Sequence, residues 1–422
     1  SSPNIKTKAL HWGNRFVYCT LLNSNKSQNY PHEPFIDVLA VGNENSFEFK
    51  GPEDFSIFQQ LIDNKQEWLF GHIAYDLKNH LEDLDSKHNE EVKFPLITFF
   101  AAESLVFFHE DSIEIKTKHN PHDIYEEIID YHQTIFESFS GKVALQTSEN
   151  EYVDTVNSLI NHIIEGDIYE INYCVEFLIN ELQIDPVDFY QNLCLNSPTP
   201  FSTFYKNKHN YALGASPERF LKKVGQKLIS QPIKGTARRG SNTEEDHQII
   251  EYLRNDEKER AENMMIVDLV RNDLARSSKS GSVKVEEMFG IYSFRHWHQM
   301  ISTVTSEVKP ELEIVDIIKN AFPMGSMTGA PKIKVMQLVE KYETFKRGLY
   351  SGAIGYITPE KDFDFNVVIR TLFYDQLASK GAFMVGSAIT YDAKPHQEYK
   401  ECLLKARPIL ETLQNLAKKQ PQ

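Results

Sequence analysis

A lysine flanked by a proline and a glycine stands out among the residues that could do chemistry. Lys234 lies between Pro232 and Gly235, so a rigid and a permissive residue set the backbone that aims its side chain. Such a lysine is a candidate nucleophile if its amine is uncharged. With an ordinary pKa of about 10.4, the free amine at neutral pH costs about 4.6 kcal/mol. Burial, or the cationic neighbours Arg238 and Arg239, would reduce that cost; the alternative is a solvated lysine in a turn.

Two pairs of glutamates recur with a three-residue step. Glu259 and Glu262 share one face of a helical stretch, and that face continues as the apolar Ile266. Carboxylates in line with an apolar stripe are predicted to point inward, where they need a cation. Glu398 and Glu401 repeat the spacing near the end of the sequence. The two pairs could meet as an oxygen-rich magnesium site, or they are two solvated helix faces.

Three further segments suit an anion. Small residues from Gly325 onward precede Pro331, which predicts either a helix start whose free N–H groups hold an anion or an ordinary capped turn. Arg370 lies in an extended segment and is either exposed or a bidentate clamp for a carboxylate. Gly386 would let a strand backbone approach a ligand closely, although glycine in a strand more often marks a bulge.

The overall composition excludes several classes of partner. The 422 residues include 45 basic and 60 acidic ones, and the net charge of -15 repels nucleic acid and anionic membranes, so any anion site must be local. The first residues lack an apolar run of signal-peptide length, and no segment approaches the roughly 18 apolar residues of a membrane span. Four scattered cysteines without a CxxC spacing favour a reducing compartment, so we expect a cytoplasmic protein: Cys19, Cys174, Cys194 and Cys402.

The elements that must position these residues alternate between strands and helices. Residues up to about 115 read as sheet, a helix is predicted over 121–136, and the polar stretch 138–150 is the best candidate for a boundary. Lys234 and Glu218 read as strand ends or loops. The pattern indicates a mixed α/β or α+β protein. Beyond the boundary it predicts helices at 151–165, 186–194, 256–276, 331–342 and from 397, and strands at 168–182, 351–358, 363–374 and 381–390.

Taken together and in this order, these segments resemble the chorismate-utilising enzymes. The resemblance is dense over about residues 150–412, and a further stretch at 68–77 is similar to the family's N-terminal signature. It rests on the segments 216–220, 232–236, 262–273, 325–332 and 369–371 and on the helix that carries Glu398 and Glu401.

The resemblance implies an α+β fold. It is a single intertwined chorismate-binding fold with two large orthogonally packed antiparallel β-sheets flanked by helices. Residues 1–140 would form an N-terminal β-rich region of that fold, and residues 150–415 the chorismate-binding catalytic core. The resemblance also implies a magnesium ion, Mg2+, that orients the ring carboxylate of the substrate, with Glu262 and Glu401 as ligands and Glu259 and Glu398 beside them.

The chemistry implied by the resemblance is the amination of chorismate to 4-amino-4-deoxychorismate, in para-aminobenzoate and folate biosynthesis. Glu218 would protonate the departing C4 hydroxyl, and Lys234 would attack C2 and form a covalent adduct before ammonia adds at C4. Arg370 and Tyr350 would hold the enolpyruvyl carboxylate. Because no cysteine lies in a glycine-flanked nucleophile turn, a separate glutamine amidotransferase subunit would supply the ammonia. The other substrate-binding positions would be Thr236, Gln299, Gly325, Ser326, Gly386 and Ser387.

Single positions define the branch of the family and the departures from it. Anthranilate synthases generally carry alanine where this chain has Lys234, and Glu170 stands where isochorismate- and salicylate-forming members have a basic lysine. Gln299 stands where the family usually has a histidine, and His298 would take the place of that histidine if the strand were shifted. Ala388 stands where the family often has glycine. The alternatives are an anthranilate synthase component I and a homologue that binds chorismate without turnover.

Overall fold

The fold is built from long antiparallel strands with helices at its outer faces. The computed structural model describes residues 3–27, 29–44, 46–64, 66–131 and 140–418. The helices of this part are α1 Pro3–Gly13, α2 Asp54–Asn64, α3 Pro121–Ile129, α4 Glu149–Ile164, α5 Pro186–Asn196, α6 Thr243–Asn255, α7 Glu257–Ser277, α8 Ile314–Ala321, α9 Lys332–Tyr342 and α10 Pro395–Lys418, with 3-10 turns at Tyr75–His80 and Gly325–Met327.

The strands form two large sheets. In chain order they are β1 Tyr18–Asn23, β2 Val38–Gly42, β3 Ser46–Glu48, β4 Leu69–Ile73, β5 Ile97–Ala101, β6 Ser104–Phe108, β7 Ile113–Thr117, β8 Ser140–Leu145, β9 Glu170–Gln183, β10 Phe201–Asn207, β11 Asn210–Ser216, β12 Arg219–Val224, β13 Lys227–Gln231, β14 Ile233–Arg238, β15 Lys284–Ser293, β16 Trp297–Glu307, β17 Gly329–Ala330, β18 Ala353–Ile357, β19 Phe363–Asn366, β20 Thr371–Asp375 and β21 Lys380–Ile389.

Both sheets combine strands from the two halves of the chain. The first has the order β17-β9-β21-β20-β11-β10-β1-β2-β6-β7, with β8 paired to β9, and the second has the order β14-β16-β13-β12-β19-β18-β4-β5-β3, with β15 paired to β16. All the pairings are antiparallel, so the prediction of one intertwined α+β fold with two large antiparallel sheets is confirmed.

Three sequence expectations differ from the structure. The stretch 138–150, expected as a boundary, contains β8, which pairs with β9 inside the first sheet. Residues 132–139, which include the start of that stretch and the end of the helix expected over 121–136, lie outside the described residues. The N-terminal region contains α1 and α2 beside its strands. The single strand expected over 363–374 is two strands, because the chain passes from the second sheet to the first between β19 and β20.

Different hydrophobic clusters pack against the two faces of the first sheet. On β9, Ile171, Tyr173 and Val175 lie in the apolar cluster beneath the helices, whereas Cys174 belongs to the cluster that joins the first sheet to the second. Because side chains alternate along a strand, the even-numbered residues of β9 from Glu170 to Leu178 face the second sheet. None of the described helices combines the length and apolar character needed to cross a bilayer.

Helix α7 begins where its sequence predicts. The Asp256 side chain accepts a hydrogen bond of 2.9 Å from the backbone N–H of Glu259 and so caps the helix. From this start, Glu262 and Ile266 fall on the buried side of the helix, with Glu259 half-buried one turn earlier. The cap therefore fixes which glutamates of α7 face inward.

Candidate active site

A cavity of about 410 Å³ opens between the two sheets, α7 and α10. This volume falls in the range of about 300–1,000 Å³ that is usual for small-molecule sites. An adjoining void of about 20 Å³ shares Glu218 and Ser326 with it and has room for little more than a water molecule. Twelve of the residues expected from the sequence line the large cavity: Lys234, Glu218, Arg370, Tyr350, Ser326, Gly386, Gln299, Thr236, Glu259, Glu262, Glu398 and Glu401.

Lys234 reaches the cavity from β14, the edge strand of the second sheet. The next residue, Gly235, has a φ of 89°, and a Cβ there would stand 3.2 Å from a carboxylate oxygen of Glu259, so both conformation and space favour glycine. The side chain of Lys234 is only 12% exposed. Its Nζ donates a hydrogen bond of 2.6 Å to Oε1 of Glu170, which comes from β9 in the first sheet.

The charges around Lys234 differ from those expected. Burial on its own lowers the pKa of Lys234, but the carboxylates of Glu170 and Glu262 outweigh burial, so the pKa lies above its ordinary value. Arg238 is exposed, 3.9 Å from Glu245, and Arg239 pairs with an aspartate on α6. The expectation that neighbouring arginines favour the free amine is wrong, because the nearest charged groups are carboxylates.

Glu218 lies in the turn between β11 and β12. It is buried, and its backbone N–H donates a hydrogen bond of 3.3 Å to Oγ of Ser216. Burial raises the pKa of Glu218 to about 7, against the opposing effects of the Ser326 side chain and of Lys234. A carboxyl group with that pKa holds a proton through much of the neutral range and can give it to a leaving oxygen.

Four glutamates approach the cavity from two helices. Glu259 and Glu262 come from α7, and Glu398 and Glu401 from α10. Burial raises the pKa of Glu262 to about 7, and its Oε1 is buried without a hydrogen-bond partner among the residues that the structure describes. A buried acceptor of this kind is one that a cation would satisfy.

Lysines neutralise part of this acidic group. Nζ of Lys258 lies 3.7 Å from Glu262 and 3.6 Å from Glu398, and Nζ of Lys405 lies 2.7 Å from Glu401. No three of the four glutamates bring oxygens within 4.8 Å of one another among the residues described. The carboxylates therefore surround the cavity without closing on one point.

Arg370 and Tyr350 line the same cavity. Arg370 lies at the crossing between β19 and β20 with a φ of 51°, a backbone conformation that aims its side chain between the sheets. Tyr350 is buried, and its hydroxyl oxygen accepts a weak hydrogen bond of 3.8 Å from the Cys174 thiol. The backbone oxygen of Gly386 accepts a hydrogen bond of 2.9 Å from Lys405.

Three residues considered from the sequence do not line the cavity. A Cβ on Gly325 would meet Leu269 at 2.7 Å, so this glycine allows the 3-10 turn to approach α7 closely. Ser387 points to the helical side of β21, where its hydroxyl lies 2.7 Å from that of Tyr152. His298 also faces away, so it does not stand in for Gln299.

The most direct neighbour of Lys234 is not among the residues predicted for the site. The sequence makes Glu170 informative only through the residue type at its position, yet its carboxylate is the hydrogen-bond partner of the lysine. Asn172, Trp297 and Lys258 also line the cavity without having been singled out as cavity residues. The alternation of β9 gives a signal for Glu170 and Asn172, because these polar residues alternate with the apolar Ile171 and Tyr173 at the start of the strand.

The chain is similar to known proteins over almost its whole length. A family profile described as chorismate binding enzyme matches residues 19–411. Aminodeoxychorismate synthase component 1 of Bacillus subtilis is 32% identical over 357 residues, covering 80% of this chain and 74% of that protein. Anthranilate synthase component 1 of Lactococcus lactis is 30% identical over 358 residues, covering 81% and 78%. The crystal structure of anthranilate synthase component I from Streptococcus pneumoniae superposes with a TM-score of 0.79 at 26% identity, covering 90% of this chain and 92% of that one.

Proposed function

The chain belongs to the family of chorismate binding enzymes, and from this premise we propose that it converts chorismate and ammonia into 4-amino-4-deoxychorismate, in the route to para-aminobenzoate and folate. The observation that carries the proposal is the largely buried Lys234 in the same cavity as Glu218 and the four glutamates. A lysine nucleophile separates this reaction from direct attack of ammonia at C2, which would give anthranilate.

The proposed chemistry begins at C2 of chorismate. The neutral amine of Lys234 forms a bond to C2, the two ring double bonds shift, and the C4–O bond breaks as Glu218 gives its proton to the departing hydroxyl, which leaves as water. Ammonia then adds at C4, the double bonds shift back, and the C2–N bond breaks with its electron pair returning to Lys234. Glu218 regains a proton from the added ammonia. The pKa of Glu218, about 7, suits a group that must act first as acid and then as base.

The cavity walls provide the proposed contacts to the substrate. Arg370 would pair with the enolpyruvyl carboxylate, with Tyr350 beside it, because both side chains project into the cavity. Gln299 and Thr236 occupy opposed positions of β16 and β14 and would contact the C4 side of the ring. Ser326 and Gly386 would contribute the polar groups of the anion pocket, with Gly325 and Ser387 supporting them from behind.

Glu262 and Glu401 would hold Mg2+, with Glu259 and Glu398 beside it. These groups fit the ion because they are hard oxygen donors and because Oε1 of Glu262 is buried without a hydrogen-bond partner in the described part of the chain. When bound, the ion would supply positive charge that orients the ring carboxylate of the substrate. The chain's own contribution is to bring α7 and α10 together, so that these carboxylates face the cavity that also contains Lys234.

The ammonia would come from a separate glutamine amidotransferase subunit. All four cysteines are free and buried, and burial raises the pKa of Cys194 to about 11 and that of Cys19 to about 12. Thiols of this kind are poor nucleophiles for the hydrolysis of glutamine. Unpaired cysteines also agree with the cytoplasmic location that we include in the proposal.

Identification of the product tests the proposal. Purified protein with Mg2+, chorismate and an ammonium salt should yield a compound that a following lyase converts to para-aminobenzoate. Anthranilate is the second candidate product, because relatives named anthranilate synthase are almost as similar to this chain. Formation of anthranilate would replace our proposal with that activity, and no consumption of chorismate would favour a homologue that only binds it.

A further inference from the structure

One contact in the cavity has no role in the chemistry described above. Glu170 of β9 and Lys234 of β14 belong to different sheets, and their 2.6 Å hydrogen bond crosses the cavity wall between them. Glu170 is buried and Lys234 is largely buried, with 2% and 12% of their side chains exposed. A buried pair of this length between two sheets is placed to exchange a proton as well as to neutralise charge.

The second carboxylate oxygen of Glu170 is available for proton transfer. Oε2 is buried and has no hydrogen-bond partner in the described part of the chain, while Oε1 accepts from Lys234. A carboxylate whose two oxygens were both saturated by donors would resist a proton. Glu170 has one saturated and one unsatisfied oxygen, so it can accept a proton from the lysine and still have an oxygen available as acceptor.

We propose that Glu170 is the proton acceptor that converts Lys234 into the attacking amine and later returns the proton to it. This inference rests on the proposed function. Before the attack, one N–H proton of the Lys234 ammonium passes to Glu170, leaving a neutral amine beside a neutral carboxyl group. The amine then bonds to C2 while Glu218 protonates the leaving hydroxyl. After ammonia has expelled the lysine as a neutral amine, Glu170 gives the proton back. Each proton is thereby accounted for within the site.

The alternative is that Glu170 only restrains Lys234 as a cation. The two possibilities predict opposite effects of Glu170→Gln, which keeps the shape and the acceptor oxygen but cannot take a proton. If Glu170 is the acceptor, the variant should form the lysine adduct about 100-fold more slowly at pH 7. If Glu170 is only a restraint, the variant should form the adduct as fast as the wild type or faster, and this result overturns the inference.

The experiment follows intact protein mass after rapid acid quenching of the full-length protein mixed with Mg2+ and chorismate, without ammonia. Glu176→Gln is the matched control, because Glu176 is a buried carboxylate on the same face of β9, also has an unpartnered oxygen and does not line the cavity. We expect its adduct rate to stay within about twofold of the wild type. Glu170→Asp, which keeps a carboxylate one methylene further away, should give an intermediate rate and provides a second variant if Glu170→Gln does not fold.

The pH dependence adds a readout that a structural role would not change. In Glu170→Gln the lysine must lose its proton to solvent, whereas both proteins lose the acid form of Glu218 above pH 7. The ratio of the variant's adduct rate to the wild-type rate should therefore rise about tenfold per pH unit from pH 7 to 9. The charged groups that face Lys234 in the wild type are Glu170 of β9, Glu218, Glu259 and Glu262 of α7 and Glu401 of α10, and all of these except Glu170 remain in Glu170→Gln. Equal slopes in the two proteins would overturn the inference. A wild type that forms no adduct at Lys234 would instead overturn the proposed function itself.

Discussion

His298 and Gln299 are neighbours on β16 but project to opposite faces of the second sheet. Gln299 lines the cavity, whereas both ring nitrogens of His298 are occupied on the other side, by Asp246 and by Ser293, each at 2.8 Å. The register of β14 on β16 pairs Thr236 with Gln299 and fixes this choice. An imidazole is therefore present next to the site but cannot reach it.

We expect Gln299→His to place an imidazole within the cavity. A protonated imidazole can donate a stronger hydrogen bond to the C4 hydroxyl than an amide can, so kcat should rise several-fold at pH 6. The gain should disappear above about pH 7.5, as the imidazolium loses its proton. Steady-state rates of 4-amino-4-deoxychorismate formation from pH 5.5 to 8.5 would measure this, and a flat ratio of variant to wild-type rates would contradict it.

His298→Asn is the companion variant, because it changes the neighbouring residue on the other face. The loss of buried hydrogen bonds to Asp246 and Ser293 should lower the free energy of unfolding by about 1–3 kcal/mol while leaving KM for chorismate unchanged. Urea unfolding followed by fluorescence, together with KM, would check both expectations. A large change in KM would mean that His298 contributes to the site.

The face of the strand on which each side chain lies is the part of the site that the sequence could not predict. A one-residue shift in register moves every side chain to the other face, and register is set by pairing with strands distant in sequence. The sequence segment around Gly386 and Ser387 therefore could not reveal that Gly386 lines the cavity while Ser387 lies against Tyr152. For the same reason, the sequence could not show that Gln299 faces the cavity while His298 faces away from it.

Local periodicity, in contrast, was sufficient for α7. The inward direction of Glu262 follows from its spacing to Ile266 and from the Asp256 cap, all within a few helical turns. The charge partner of Lys234 could not be predicted in this way, because Glu170 lies 64 residues away on a strand of the other sheet. Arg238 and Arg239, although close in sequence, are drawn to acidic residues of α6.

Replacement of Lys234 should reveal the electrostatic coupling to Glu170 in stability as well as in activity. Lys234→Met removes the cation from a buried pair and leaves a carboxylate without its donor, which should lower the free energy of unfolding by about 3 kcal/mol. It should also abolish the covalent adduct. The double variant Lys234→Met with Glu170→Gln should recover most of the stability, because neither charge is then buried alone.

A double-mutant cycle in urea would measure this coupling, with the two single variants and the double variant compared at one pH. Additive effects of the two substitutions would show that the 2.6 Å contact contributes nothing to stability. Persistence of an adduct in Lys234→Met would contradict the role of Lys234 as nucleophile.

The protonation state of Glu218 should limit the rate at high pH. Burial raises its pKa to about 7, so the acid form, to which we assign protonation of the leaving hydroxyl, predominates below pH 7 and is lost as the pH rises above it. We expect the rate of adduct formation to fall as the pH rises above 7, which is the descending limb of the pH profile. Glu218→Gln should lose about 10²–10⁴-fold in rate and should no longer show the limb. Rapid-quench rates between pH 6 and 9 would test this, and a Glu218→Gln variant with wild-type rates would remove the assigned role.

Removal of Mg2+ should abolish turnover and leave Glu262, Glu398 and Glu401 with their lysine neighbours alone. Addition of excess EDTA should stop product formation, and Mg2+ should restore it. Glu262→Gln removes a charged metal ligand whose Oε1 is buried without a hydrogen-bond partner among the described residues, so the Mg2+ concentration for half-maximal activity should rise at least about tenfold. Glu257→Gln, an exposed glutamate on the same helix, should leave that concentration unchanged.

Thermal unfolding provides a measurement of Mg2+ binding that does not depend on activity. A ligand that binds only the folded state raises its stability by RT ln(1 + [L]/Kd), so saturating Mg2+ should raise the melting temperature of the wild type and of Glu257→Gln. The same Mg2+ concentration should have a smaller effect on Glu262→Gln.

Lys258 should oppose the binding of the ion, because its Nζ lies within 4 Å of both Glu262 and Glu398. Lys258→Met should therefore lower the Mg2+ concentration needed for the shift, and an unchanged or higher requirement would show that Lys258 does not compete for the site.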